Sequence, residues 1–573
     1  MDSSRLQLAW PDLDVESGVR TTMRDGTVLV SDIYRPKKGS GPWPVLLMRQ
    51  PYGRDIASMV VYAPPAWFAR QGFIVVIQDV RGRGDSEGEF YPFRDERRDG
   101  FDTVQWASQL PGSNGCVGMY GFSYQGYTQL AAAADRPPAL KAIAPHMTAM
   151  DLYHGWFYRS GLLQLNSTLG WGNQMLRENA KRAGRSATYA QLESSWRNPA
   201  ALCKELPVSK VSPLTSSGAA PFVRDWLAHE SNDDYWKALN VTKAAVSSGL
   251  PMFHLGGWYD YFLRGTTLGY AAAKRAAAPQ LVHLGPWKHI PWNDNLAGWS
   301  FGDAGKPAID SILVKWFRHW LQPEAAKREV PSELSGAKYF SLGEMCWREA
   351  PSWPPPEVNP RRWYLASEGL ANSRFGDGRL VLEEPLDTPC DTFNYDPETP
   401  VLSPGGGYDG SLGWGPYDLS TNQESNAVLV YSAAPTKRAF RFAGAPRWQG
   451  VVASSAADTA FVVRLSLVSR DGKARFLTLG AATLGGAEHL DDGRYRLIIS
   501  LDEIASSVAE GEALRLDICS SAFPLLVRHP NTTTSPNAVP SPAAFERALQ
   551  VVYHDRSAPS WLELPVAEDD DKS

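Results

Sequence analysis

The sequence predicts a mostly parallel β-sheet with helices on both faces, a helical insertion within it, and an antiparallel β-sandwich behind it. Three observations carry that reading. In the first half, short continuous apolar runs at 44–48, 73–77, 116–120, 140–144, 251–255 and 280–284 alternate with helical stretches, as strands covered on both faces do. Between 147 and 241 such runs vanish, and the pattern turns helical and rich in Trp and Tyr. Beyond about residue 351 the period drops to two: Val463, Leu465 and Leu467 alternate with Arg464 and Ser466, and Asp471-Gly472 marks a hairpin. The expected units are 1–146 and 242–350 for the two parts of the core, 147–241 for a helical cap, and 351–573 for the sandwich, read as a jelly roll.

Taken in order, β-branched residues between Val19 and Tyr34 flank Asp25-Gly26, a hairpin signal. The run 44–48 ends in Arg49-Gln50-Pro51-Tyr52-Gly53. After a helical stretch at 67–71, the run 73–77 leads into Asp79-Val80-Arg81-Gly82-Arg83-Gly84, which reads as a structural charge cluster. It is no phosphate cradle, because the GK[ST] ending of a P-loop is missing. A helix at 99–110 precedes the strand 116–120, the turn Gly121-Phe122-Ser123-Tyr124, and the helix formers Leu130-Ala131-Ala132-Ala133-Ala134. A serine at such an elbow is held out of the sheet beside the N–H groups of the new helix. The common elbow is G-x-S-x-G; here Gln125 stands at the second glycine position and Gly126 comes one residue late. The insertion after 140–144 carries Phe222, Trp226, Tyr235, Trp236 and Leu239, and lies on the side of the sheet where ligands bind. The last two core runs lead into Gly256-Gly257-Trp258-Tyr259-Asp260 and Gly285-Pro286-Trp287-Lys288-His289. Ile309, Ile312, Leu313, Trp316, Phe317 and Trp320 share one helical face that closes the core.

Composition removes several classes of function. With 57 basic against 62 acidic residues, the chain has no phosphate-backbone footprint, so nucleic acid is not an expected partner. The start of the chain has neither a basic nor an apolar signal region, and no apolar run reaches membrane-spanning length, so no membrane association is expected and the expected compartment is cytoplasmic. The five cysteines form no CxxC pair and no disulfide framework, and are read as buried free thiols. The acidic end at 568–571 reads as a solvated tail. Assembly into a homo-oligomer is left open. Some of the 21 tryptophans should line a site for flat apolar groups.

A serine hydroxyl needs a base, and the base needs an orienting carboxylate. Where the nucleophile sits on a strand-to-helix elbow of a parallel sheet, the partners follow in the order carboxylate, then histidine. Asp260 and His289 follow Ser123 in that order, each just past a predicted strand. His254 and His283 fall inside strands, and His319 in the closing helix, where it reads as a surface residue. His146 follows a strand and competes, but precedes any acid in the second part of the sheet. Asp79 and Asp151 compete with Asp260. For the oxyanion, the Tyr124 N–H is one donor. Pro51 has no N–H to give, so the Tyr52 hydroxyl is the candidate for the other. Trp156, Phe157, Trp258 and Phe262 are the candidate pocket residues. The chemistry calls for a small-molecule substrate and for no metal or other cofactor.

At these positions the chain resembles the X-prolyl dipeptidyl-peptidase and cocaine esterase family of serine hydrolases. The matching motifs are N-G-x-V-G-M (114–119), G-x-S-Y-x-G (121–126), D-x-R-G-x-G-x-S-x-G (79–88), G-W-Y-D (257–260) and G-P-W-x-H (285–289). Further likenesses are R-x-P-Y at 49–52, Phe393-Asn394-Tyr395-Asp396-Pro397 and Ala457-Asp458-Thr459. The resemblance implies an α/β-hydrolase core, a helical cap and a C-terminal jelly roll, with Tyr52 completing the oxyanion hole. The related α-amino acid ester hydrolases grip a substrate ammonium with carboxylates, one of them close to the triad acid. Tyr261, Phe262 and Leu263 stand there instead, and Phe262 matches an acyl-pocket phenylalanine of the cocaine esterase branch. The expectation is an esterase for apolar or aromatic acyl groups. The alternatives are an acylase or aminopeptidase of the same family and a non-catalytic binding protein.

Overall fold

The first hairpin forms as its turn signal predicts: β1 (Leu13–Thr22) and β2 (Val28–Pro36) pair antiparallel, and the Met23 N–H donates to the Thr27 carbonyl across Asp25-Gly26. This is a computed structural model describing residues 10–55, 60–216, 219–276, 278–290, 292–384, 388–403 and 415–567. The extreme N-terminal stretch and the acidic end at 568–571 lie outside the described residues.

The core sheet continues through β3 (Trp43–Gln50), β4 (Ile74–Asp79), β5 (Ser113–Phe122), β6 (Leu140–His146), β7 (Met252–Tyr259), β8 (Gln280–Lys288), β9 (Gly336–Ser341) and β10 (Cys346–Ala350). The spatial order is β1-β2-β4-β3-β5-β6-β7-β8-β9-β10. Pairing from β4 to β9 is parallel, with antiparallel strands at both edges. Alternation along one strand shows why the apolar runs are continuous. Val45 and Leu47 enter the core under the helices Glu96–Ser108 and Tyr124–Ala134, while Leu46 and Met48 enter the one under Ile309–Leu321. The edge hairpin β9–β10 follows the helix expected to close the core. Its short, half-buried run carries too little apolar signal to be read as a strand.

Between β6 and β7 the chain is helical, with Leu165–Arg182, Ser186–Arg197, Pro199–Lys204, Phe222–Ala228, Asp234–Leu239 and Thr242–Val246. Tyr158–Arg159 and Leu162–Leu163 form its one β-hairpin among the described residues. The cap is tied down on both sides. Arg182 donates to the Gly84 and Ser86 carbonyls of the core, and the Leu165 N–H donates to Leu525 of the C-terminal domain at 2.9 Å.

From Val358 onward the chain builds a second, 14-stranded assembly, antiparallel except for one short pairing at Arg379 and Leu380. Its period-two strands are not half-exposed as the alternation suggested. Arg464 and Ser466 are fully buried: Leu402 and Gln423 lie over that face, Arg464 donates to the Leu402 carbonyl at 3.2 Å, and its Nε is 3.5 Å from Asp517. His319 is also buried, 8% exposed and packed edge-on against Trp320, so its reading as a surface residue is corrected. All five cysteines are free thiols, Cys203 and Cys519 buried, the others half-buried.

Candidate active site

Four of the parallel strands end at one edge of the core sheet, and each delivers one predicted residue. Tyr52 follows β3, Ser123 follows β5, Asp260 follows β7 and His289 follows β8. Ser123 sits at φ 63° and ψ −127°, in a region that L-residues enter at a cost. The turn is enforced from both sides. The Ser123 N–H donates to the His146 carbonyl at 3.0 Å, and its own carbonyl accepts from Gly126 and Tyr127. The late glycine has a steric reason: a Cβ at Gly126 would come within 2.7 Å of Thr148 and 3.0 Å of the His146 carbonyl. Gln125 fills the usual glycine position with its side chain buried and accepting from the Phe122 N–H.

His289 Nδ1 lies 2.8 Å from Asp260 Oδ1, with His289 3% and Asp260 0% exposed. A proton on Nδ1 leaves Nε2 free to accept another. The imidazole is held between Phe122 and Phe262, at ring separations of 5.3 and 4.9 Å. The competitors are engaged elsewhere. His146 is fully buried, takes a 2.7 Å hydrogen bond with Tyr62, and is pushed well below the usual histidine value by burial. His254 and His283 are pushed down to about 4 and about 3 by burial in the sheet. Asp79 is paired with Arg54, and burial raises it to about 6. Asp151 is bound to His154 at 2.9 Å.

Tyr124 is the first residue of its helix, so its N–H has no acceptor within the helix. Its phenol faces away, donating to Glu96 at 2.8 Å, so only its backbone belongs to the site. The Tyr52 N–H is pinned by the Gln50 side chain at 2.8 Å. The Tyr52 hydroxyl accepts from Trp171 Nε1 at 3.3 Å and lies within hydrogen-bonding reach of the Ser123 hydroxyl. Burial raises the phenol's pKa; these two contacts and the charge of Arg83 act against that.

Two parts of the chain match the models of one family: residues 25–291 match X-Pro dipeptidyl-peptidase (S15 family), and 320–563 match the X-Pro dipeptidyl-peptidase C-terminal non-catalytic domain. Cocaine esterase from Rhodococcus sp. is 32% identical, with 96% of this chain and 98% of that protein covered. The chain belongs to the X-Pro dipeptidyl-peptidase and cocaine esterase family. Like the family, it is a serine ester hydrolase with an α/β-hydrolase fold and a C-terminal β domain. In fold it is similar to an α-amino acid ester hydrolase (TM-score 0.81) and to an aminopeptidase from a Thaumarchaeota archaeon (TM-score 0.80). Each is 22% identical, with 97% of both chains covered.

Within this family member, Ser123, His289, Tyr52, Trp156 and Phe262 all line one cavity of about 410 Å³. Trp156 and Phe262 meet at 4.2 Å and form one aromatic wall. Two predicted pocket residues do not reach it. Phe157 is fully buried against Trp226 and Trp236, because the π-helical turn Tyr153–Phe157 points it into the cap. Trp258 still belongs to β7 and points away, donating to the Phe340 carbonyl at 2.8 Å. Sequence reasoning missed Trp171, Phe122 and Tyr261, which do line the cavity. Trp171 could have been found from the spacing Trp171, Gln174, Met175, Glu178, one face of the helix Leu165–Arg182. Among the described residues there is no His, Cys, Asp and Glu cluster suited to a metal, and no helix long and apolar enough to cross a membrane.

Proposed function

We propose that this protein hydrolyses carboxylic esters bearing an uncharged aromatic or apolar acyl group, through an acyl-enzyme on Ser123. The observation that carries the reading is that the strained Ser123 and the Asp260-bound His289 open onto the same aromatic-walled cavity. His289 Nε2 takes the Ser123 proton as Oγ bonds to the ester carbonyl carbon. The Tyr52 hydroxyl and the Tyr124 N–H donate to the resulting oxyanion. As the intermediate collapses, His289 passes the proton to the departing alkoxide, which leaves as the alcohol. Water, deprotonated by the same imidazole, then attacks the acyl carbon, and Ser123 departs with its proton restored. Trp156 and Phe262 support the acyl preference, since they offer flat apolar faces and no counter-charge for an ammonium.

A fluorophosphonate probe should label Ser123 alone, and an ester and amide panel with matched benzoyl, aliphatic and α-amino acyl groups should favour benzoyl esters. Labelling elsewhere removes Ser123 as nucleophile. Faster turnover of α-amino acyl amides would move the protein to the aminopeptidase side of the family.

A further inference from the structure

Arg83 is a fully buried guanidinium that the acyl-transfer steps above leave unused. It lies in the loop after β4, its guanidinium carbon 3.8 Å from the centre of the Phe90 ring. One nitrogen, Nη2, donates to the Met175 carbonyl at 3.1 Å and lies 3.6 Å from the Met175 sulfur. Nε and Nη1 are buried without a hydrogen-bond partner among the described residues. A buried cation without a contacting carboxylate is costly to keep, so its location is informative.

That location is directly against the wall of the cavity. Met175, which Arg83 touches, lines the cavity together with Tyr52. Phe90, on which it rests, meets the Tyr124 ring at 5.9 Å. The charged and titratable groups whose fields act on it are Glu178 at the cavity mouth, Tyr124, Tyr52 and the cap's Arg182. Burial is the main force on Arg83 and lowers its pKa to about 10, which leaves it a cation at neutral pH. Glu178, exposed at the mouth, acts on it through space.

We propose that Arg83 is a positioning residue for acyl transfer, whose uncompensated charge makes the Tyr52 hydroxyl a stronger donor to the oxyanion at Ser123. The proposal rests on the reading of Tyr52 as an oxyanion donor. The ester carbonyl is neutral and the tetrahedral intermediate is anionic, so a fixed cation whose charge acts on the donor favours the second over the first. Its effect therefore falls on kcat and spares KM.

The test compares R83M and R83K, each in the wild-type and the Y52F background, on an aryl ester, with melting temperatures measured alongside. R83M should lower kcat about ten-fold with KM within about two-fold of wild type. Its melting temperature should not fall, since an unpaired buried charge has been removed. R83K, which keeps the charge, should retain kcat within about three-fold. In the Y52F background R83M should change kcat by less than about two-fold. Wild-type kcat in R83M, an equal loss in both backgrounds, or R83K as damaging as R83M would each overturn the proposal. Wild-type kcat in Y52F would instead defeat the reading of Tyr52 itself. If R83M does not fold, R83Q carries the same comparison.

Discussion

Among the described residues, two histidine–aspartate pairs have both partners buried, and only one of them has the surroundings of an active site. At the edge of the core sheet, His289 is bound to Asp260 at 2.8 Å and shares a cavity with Ser123. In the C-terminal domain, Thr388 Oγ1 lies 3.0 Å from His554 Nδ1, and His554 Nε2 lies 2.8 Å from Asp391. Both aspartates are fully buried. They differ in what else holds them. Asp391 Oδ1 accepts from Ser367 and the Ala371 N–H, and Oδ2 from Tyr431 as well as His554, so the carboxylate is saturated. Asp260 Oδ2 has no hydrogen-bond partner among the described residues. Thr388 precedes an ordinary strand, Asp391–Tyr395, whereas Ser123 is forced to φ 63° at the mouth of a helix. The shared residue types are thus no measure of function. The strained turn, the helix N–H beside it and the open cavity make the difference.

The largest separation of the two sites comes from removing the hydroxyls. S123A should lose aryl-ester hydrolysis by about six orders of magnitude, while T388A should keep wild-type kcat; a steady-state assay of both decides it. Next, D260N should lower kcat by about four orders of magnitude, because the amide no longer fixes the imidazole tautomer. A pre-steady-state burst measurement would show whether acylation is the step that suffers.

The third change acts on the other site. D391A should cost about 3–5 kcal/mol of stability, since it strands buried donors, while kcat per folded molecule stays unchanged. Burial works against the Asp391 charge, but hydrogen bonds from His554, the Ala371 N–H, Tyr431 and Ser367 outweigh it and hold the carboxyl below its usual value. A depressed folded pKa means the contribution is complete above the unfolded value of about 3.9 and fades as pH falls through the folded one. Urea melts of wild type and D391A should therefore converge in acid, not in base. The smallest effect is that of Y52F, about two orders of magnitude in kcat with the fold intact. A value equal to wild type would leave the Tyr124 N–H as the sole assigned oxyanion donor.

Much of this was legible in the chain itself. The strand, elbow and helix around Ser123 are written in adjacent residues, so local sterics specify them. Asp260 and His289 each follow directly on the last residue of a parallel strand, and parallel connection brings such ends to one edge. The wall of the pocket was less legible. Phe157 and Trp258 are aromatic neighbours of site residues, yet a π-helical turn and one further residue of strand turn them away. Trp171 enters from the cap and reaches Tyr52, a partner 119 positions away in the chain. Burial was also misjudged at His319. Arg464, in an alternating strand, is buried because Leu402 and Gln423, far earlier in the chain, lie over its face of the sheet.

The sequence alone determined the order of the strands' chemistry: a serine on an elbow, then an acid, then a histidine, each at a carboxyl end. Those features depend on a few covalently adjacent residues and on the chirality of parallel crossovers, which any chain of this pattern must obey. Only the tertiary structure decided which aromatic rings face the substrate, which of the two buried histidine–aspartate pairs meets a cavity, and that Arg83 is buried against Met175 of the cavity wall. Those outcomes depend on packing between elements far apart in the chain, where a rotation of one helix or one extra residue of strand exchanges one face for another.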